Sequence, residues 1–313
     1  MNRLKTILYP RRADLAMSVI TLIWGFHFVV VKDSLDDFAP LTFNAIRFSL
    51  GLPLILLLAW RTPAARHIPR DAWGGIAAIA LLGSIGYQVG FVNSMNYTTS
   101  TNVALLAATA PTWTALISLG QGRLRPRRGL LIGIVITLGG VVLVVLGRSG
   151  EGLALSHDDL IGSAIMLAAA LLAAVSTLIG KPTVDRAGSM SVAIWSYTLT
   201  AFGLGLLALP DLITLTADDL PLRVWPNLLY SGVLSSVTGF IVWNYALGVL
   251  GPTRAAGYNN LTPIVAAAAS IMLLGDPVTA ALLAGGVLTM AGVILTRRNI
   301  FLRPAKIREI SES

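Results

Sequence analysis

At 313 residues, 55% hydrophobic and only 12% charged, the chain departs from the composition of a water-soluble domain, in which about a quarter of residues carry charge. A formal charge of +8 would suggest nucleic acid in a soluble protein, but here the basic residues sit at the ends of long apolar runs, where anionic lipid headgroups are the simpler partner. The absence of cysteine excludes disulfides, thiolate nucleophiles and cysteine-ligated metals.

Ten apolar runs account for most of the chain, and their lengths predict membrane-spanning helices near 13–32, 39–60, 73–94, 101–120, 128–147, 159–180, 190–209, 225–247, 254–274 and 278–296. Within hydrocarbon each backbone N–H and C=O needs a partner in its own segment, so a helix is the economical solution. Strands of a barrel would alternate polar and apolar residues, which these runs do not. The first run is long, carries Trp24, His27 and Lys32, and lacks a small-residue cleavage pattern, so it is expected to remain as a span. Pro40, Pro126, Pro226 and Pro277 fall near predicted helix starts, where a missing N–H costs little. Connections as short as Gly275–Pro277 require antiparallel, adjacent neighbours.

Nineteen of the 23 basic residues fall in the N-terminal segment, in alternate gaps (Arg61 to Arg70, Arg123 to Arg128, Lys181 and Arg186, Arg254) and in the tail from Arg297. The remaining gaps hold only Lys32, Arg148 and Arg223, and Arg47 lies inside a span. The positive-inside rule then places both termini in the cytoplasm, as ten spans require. The basic cytoplasmic loops are expected to meet anionic headgroups.

The halves resemble each other at an offset of about 150 residues. Thr101–Ser118 aligns with Thr253–Ser270, placing Pro111 on Pro263; downstream, Gly133 falls on Gly285 and Gly140 on Gly292. Five spans per half is an odd number, so the second copy must insert upside down, a plan common among transporters with a midplane binding site. The expected fold is therefore an all-α integral membrane protein: residues 1–150 a first five-helix repeat, 151–299 a second, inverted one, and 300–313 a basic tail.

Trp24-Gly25-Phe26-His27 running to Lys32, followed by Pro40 and Arg47-Phe48, resembles the WG…K…P…RF signature of the drug/metabolite transporter superfamily, EamA-type. The Tyr97–Pro111 stretch and the Gly133/Gly140 pattern match as well, so the resemblance covers nearly the whole chain. It implies a ten-helix, two-repeat carrier, commonly an exporter of metabolites or amino acids, and the chain is also similar to the YddG-like aromatic amino-acid exporter branch. One departure stands out. The family often has an acid at the turn after the fourth helix of a repeat; here the first half has Gln121-Gly122, and only the second keeps Asp276.

Apart from Asp14 at the start of the first span, no acid lies within the predicted spans. Cation-coupled carriers often use an intramembrane carboxylate, so facilitated, uncoupled diffusion is the expected mode. The alternative is a proton-coupled antiporter using His27, the one histidine within a span; a hydrogen-bonded packing role suits His27 equally. Arg47, about eight residues into the second span, must face protein, either tying helices together or contacting a substrate carboxylate. Lys32 sits near a membrane boundary, where it can snorkel or pair with Asp33 or Asp36. Candidate substrate-binding residues are His27, Tyr87, Gln88, Thr109, Trp113, Trp243, Asn244, Tyr258 and Asn259: rings for flat side chains or an ammonium group, amides and hydroxyls for polar groups. Trp24, Lys32, Arg47, Pro111 and Pro263 are candidate structural or gating residues. Each of the two prolines frees a carbonyl one turn back, which makes it a hinge, a ligand or a packing kink.

Glycines at small-xxx-small spacing (Gly86 and Gly90, Gly129 and Gly133) fit close packing within a chain or in a homodimer. No P-loop is present, the three histidines are too scattered for zinc, and no metal or cofactor is expected. A membrane-embedded enzyme would need an interfacial acid–base cluster. His157-Asp158-Asp159 is the nearest approach, and a helix cap explains that trio better. The expected function is an inner-membrane carrier exporting small solutes by alternating access, with amino acids of aromatic or apolar bias as substrates.

Overall fold

The computed structural model describes residues 2–146, 156–250, 258 and 261–301. Asn259, the 147–155 segment and the tail from 302 onward lie outside the described residues. The main helices in chain order are α1 (Asn2–Ser34), α2 (Pro40–Arg61), α3 (Arg70–Tyr97), α4 (Ser100–Gly120) and α5 (Arg128–Leu146), followed by α6 (His157–Ala187), α7 (Ser189–Leu207), α8 (225–250), α9 (Thr262–Leu274) and α10 (Ala280–Phe301). Among the described residues no strand occurs. Eight helices, α1 to α7 and α10, are long and apolar enough to cross a bilayer. The described part of α9 is shorter, at 13 residues, and its predicted start near 254 lies outside the described residues.

Three departures from regular helix were not predicted in this form. The first is in α4, where a bend was expected at Pro111. The helix instead stops at Ala107 and restarts at Ala110, with Pro111 in the first turn of the new segment. Proline has no N–H to give and its ring crowds the preceding turn, so the chain re-initiates. Thr109 bridges the gap: its N–H and its hydroxyl both donate to the Leu106 carbonyl, at 3.1 and 2.6 Å. Pro263 likewise sits in the first turn of α9. The other two departures are π-helical stretches, Ile79–Gly86 within α3 and Tyr230–Thr238 within α8. Such stretches are rare and gather at functional sites. They lie about 152 residues apart, the same spacing as the prolines.

The packing interleaves the two halves of the chain. Helix α1 lies against α8 and α9, while α6 lies against α3 and α4. Glycine permits these approaches: a Cβ at Gly25 would sit 2.4 Å from Val265 on α9, and one at Gly90 would sit 2.7 Å from Ala169 on α6. Helices α2 and α7 pack together.

Helices α5 and α10 meet along a seam whose contacts are reciprocal. A Cβ on Gly133 would lie 2.7 Å from the Thr296 nitrogen, and one on Gly285 would lie 2.7 Å from the Val144 nitrogen. Gly140 and Gly292 repeat the pattern at 2.4 Å, against the nitrogens of Thr289 and Thr137. In each pair the contacted residues, like the glycines, differ by 152 positions. Contacts rise in number on one helix as they fall on the other, so the two run antiparallel. Gly86, Gly90 and Gly133, whose spacing also fitted a homodimer, all meet helices of the same chain.

One end of the bundle is tied by polar groups. The Asp276 carboxylate accepts from the Thr101 amide and hydroxyl at 3.0 and 2.7 Å, capping α4 from the α9–α10 turn. Gly275, at φ +70°, makes that tight turn possible. At the same end Ser100 donates to Ser270 at 2.8 Å, Thr98 to Asp159 at 2.7 Å and Asn227 to Asp33 at 2.8 Å, and Arg223 pairs with Asp37. Ser156 caps α6 by accepting from the Asp159 amide, which accounts for the acids beside His157 as a helix start.

Candidate functional site

A cavity of about 690 Å³ lies between α1, α2, α3, α4, α6, α7, α8, α9 and α10. That volume falls within the range of small-molecule pockets. Its wall combines aromatic rings with hydroxyl and amide groups, and among the described residues no Asp or Glu lines it. The breaks in regular structure coincide with it. Ala107, Ala108, Ala110 and Pro111 flank the gap in α4, Thr262 and Pro263 open α9, and Gly83, Ser84, Ser235 and Ser236 belong to the π-helical stretches. Irregular backbone at membrane depth is tolerated where it is buried in protein or lines a cavity.

Arg47 is the centre of the polar wall. It is 1% exposed, and its guanidinium donates through Nε to Asn44 Oδ1 at 2.8 Å, through Nη2 to Gln88 Oε1 at 2.7 Å and through Nη1 to His27 Nε2 at 2.9 Å. Asn44 is itself held by donating to the Gln88 carbonyl at 3.0 Å. A guanidinium has no acceptor, so His27 must accept at Nε2, and a neutral ring then carries its proton on Nδ1. The Phe48 and Phe43 rings flank the guanidinium, with centroids 4.9 and 5.6 Å from Cζ. Among the described residues no carboxylate pairs with it.

Rings continue the wall from there. His27 stacks on Phe91 at 6.3 Å, and Phe91 on Tyr87 at 5.9 Å. Trp24 and Trp243, also in the lining, are 6.2 Å apart, and Trp24 Nε1 donates to the Ser235 carbonyl at 3.1 Å in the π-helical part of α8. Tyr197 packs on Phe48 at 5.1 Å, with its hydroxyl directed to the Phe48 carbonyl at 3.3 Å.

The structure thus brings His27, Tyr87, Gln88 and Trp243 together around one chamber, with Trp24, Arg47, Pro111 and Pro263. It places other candidates elsewhere. Thr109 and Trp113 are absent from the lining: the Trp113 indole donates to the Thr109 hydroxyl at 3.2 Å, and both serve the α4 break. Tyr258 donates to Asp14 at 2.8 Å, fastening its segment to the N-terminal part of α1. Lys32 donates to the carbonyls of Met95 and Thr98 at the C-terminus of α3, where a cation complements the helix dipole. The backbone of Asn244 belongs to α8, while its side chain and all of Asn259 are outside what the structure describes. The residues that sequence reasoning missed are chiefly Phe28, Phe48, Phe91 and Tyr197, together with hydroxyls such as Ser196 and Thr200. A signal existed for the hydroxyls, since small polar residues on otherwise apolar helices avoid lipid.

A model of the EamA-like transporter family matches residues 11–146 and again 160–298. An uncharacterized transporter of Archaeoglobus fulgidus is 29% identical over 291 residues, covering 91% of this chain and 97% of its own length. A protein of Salmonella typhimurium named "Probable amino-acid metabolite efflux pump" is 28% identical over 296 residues, 90% of this chain and 93% of its own. A solved crystal structure with a TM-score of 0.59 and 17% identity covers 91% of this chain and 96% of that one, and so shares the fold. Matched by the family model along most of its length, the chain belongs to the EamA-like transporter family and is a multi-pass membrane transporter, not an enzyme.

Proposed function

We propose that this protein exports small amino-acid-class metabolites, with a bias to aromatic or apolar side chains, across a bacterial inner membrane by uncoupled alternating access. The observation that carries the reading is the chamber between the two halves. It is large enough for an amino acid, its rings suit flat side chains, and its Ser, Thr and Gln groups suit polar ends. The name of the Salmonella typhimurium relative supports the substrate class.

The moving parts are two inverted five-helix repeats, 1–150 and 151–299. Support comes from the 152-residue spacing of the π-helical stretches and prolines, and from the reciprocal, antiparallel α5–α10 seam. Both termini are cytoplasmic on the distribution of basic residues, and the basic loops rest on anionic headgroups. On that orientation the polar ties around Asp276 close the outer end. The chamber lining reaches Thr177 and Arg297 toward the cytoplasmic end, from which an exporter loads. The uncoupled mode rests on the acid-free lining, since a titrating carboxylate is the commonest proton carrier.

Counterflow of labelled amino acids in proteoliposomes tests this. Phenylalanine, tryptophan or leucine is expected to exchange down its own gradient, and a protonophore is expected to leave the rate unchanged. Active vesicles with no amino-acid exchange would reject the substrate class, and accumulation that collapses with the pH gradient would reject the uncoupled mode in favour of His27.

A further inference from the structure

The reading above leaves the substrate's charge open, and the surroundings of Arg47 address it. A cation taken out of water is expensive unless an opposite charge or a full set of hydrogen bonds meets it. Arg47 is 1% exposed and has three partners, His27, Asn44 and Gln88, all of them neutral. These use three of its five N–H donors. Among the described residues no acid stands in the chamber wall to cancel its charge. A purely structural arginine would be satisfied at lower cost by a carboxylate. Here three helices converge on Arg47 with uncharged acceptors, which hold the guanidinium plane without neutralising it. The Phe43 and Phe48 rings fix it further.

A pre-positioned, un-neutralised guanidinium with donors to spare is the arrangement that binds a carboxylate through paired hydrogen bonds. The stacked rings of His27, Phe91 and Tyr87 begin 2.9 Å away, at His27 Nε2, and offer apolar surface for the rest of the molecule. We propose that Arg47 anchors a free carboxylate of the substrate, so that the carrier accepts carboxylic acids, amino acids among them, and rejects the corresponding amines, amides and esters. This rests on the reading that the chamber is the transport site. An amine lacking the acid would enter a cavity whose fixed charge is positive and would leave the guanidinium unpaired. A zwitterion places its ammonium group over the ring faces or against the hydroxyls of the opposite wall.

The test is competition against labelled phenylalanine in counterflow, using 3-phenylpropionate, phenylalanine amide and phenethylamine as the matched set. Phenylpropionate is expected to compete, and the amide and the amine to be at least about tenfold weaker. Gln88→Glu is the decisive variant, because it preserves the shape and the hydrogen bond at Arg47 while supplying an internal counter-ion. An anchor loses phenylpropionate competition and phenylalanine flux in Gln88→Glu, whereas a structural arginine keeps both. Thermal stabilisation of the purified wild type and Gln88→Glu proteins by phenylpropionate gives a readout independent of flux. Equal competition by amine and acid, or an unaltered Gln88→Glu, overturns the proposal. If the wild type moves no phenylalanine yet phenylpropionate stabilises it and not Gln88→Glu, the amino-acid reading fails and the anchor stands. If neither flux nor acid-dependent stabilisation appears, both fall.

Discussion

The α5–α10 seam and the chamber wall are built from the same two halves and treat them oppositely. Along the seam, residues 152 apart do the same thing: Gly140 and Gly292 each admit the backbone of the opposite helix at 2.4 Å, against Thr289 and Thr137. In the chamber the equivalence persists at the backbone breaks, where Pro111 and Pro263 or Ser84 and Ser236 both reach the cavity, and is lost at the polar side chains. The first half contributes His27, Arg47, Tyr87 and Gln88; the positions 152 residues on hold Ile179, Leu199, Gly239 and Phe240. The second half's wall is chiefly hydroxyl, with Ser196, Thr200, Ser235 and Ser236. The two inverted repeats proposed above would give a hinge two equivalent states. A substrate is not symmetric, and the residues that grip it need not repeat.

The largest effect expected from breaking this contrast is at the seam. Gly140→Leu forces a side chain against backbone atoms that cannot move aside, at a cost of about 3 kcal/mol. Gly292→Leu is expected to cost the same, measured as loss of monodisperse protein and a lowered melting temperature in detergent. A large difference between the two would show the seam to be less reciprocal than its distances. In the chamber, by contrast, substitutions in the two halves should diverge. Gln88→Ala leaves a buried guanidinium short of an acceptor, a loss of about 1.5–3 kcal/mol for a bond to a charged group, with flux falling in parallel. Ser236→Ala in the facing wall should change stability by less than about 0.5 kcal/mol, which thermal unfolding can check. Between these lies Asp276→Asn, which weakens the cap on α4 and is expected to cost about 1 kcal/mol. If the Asp276 ties close the outer end, that variant also makes a cysteine placed at Ala104 in the chamber react faster with an impermeant thiol reagent added from outside. Unchanged labelling would remove the gating role and leave the cap.

Much of the fold was legible because the bilayer is an unforgiving solvent. Hydrocarbon leaves helices as the answer for apolar runs of this length, and lipid-facing charge is so costly that the gaps between runs announce themselves. Pro111 marked where a helix restarts and Pro263 falls in the first turn of α9, though the full break at Ala108 and Thr109 depended on the Thr109 hydroxyl taking over the Leu106 carbonyl. Half of the candidate site was legible for the same reason. His27, Arg47 and Gln88 are polar at depth and had to face inward. Trp113 and Tyr258 show the limit: an aromatic residue with one polar atom is equally content lining a cavity or bonding a neighbour, here Thr109 and Asp14.

By itself, then, the sequence determined that this chain is helical, multi-pass and asymmetric in charge, because those properties follow from each segment's own exchange with lipid and water. Only the tertiary structure decided which faces meet. Lipid tails are as apolar as leucine, so a helix that is hydrophobic all round carries no stripe to say which side is buried. The π-helical turns, the glycine-on-backbone seam and the convergence of three helices on one guanidinium are settled by packing among separate segments, and no single segment contains the information for them.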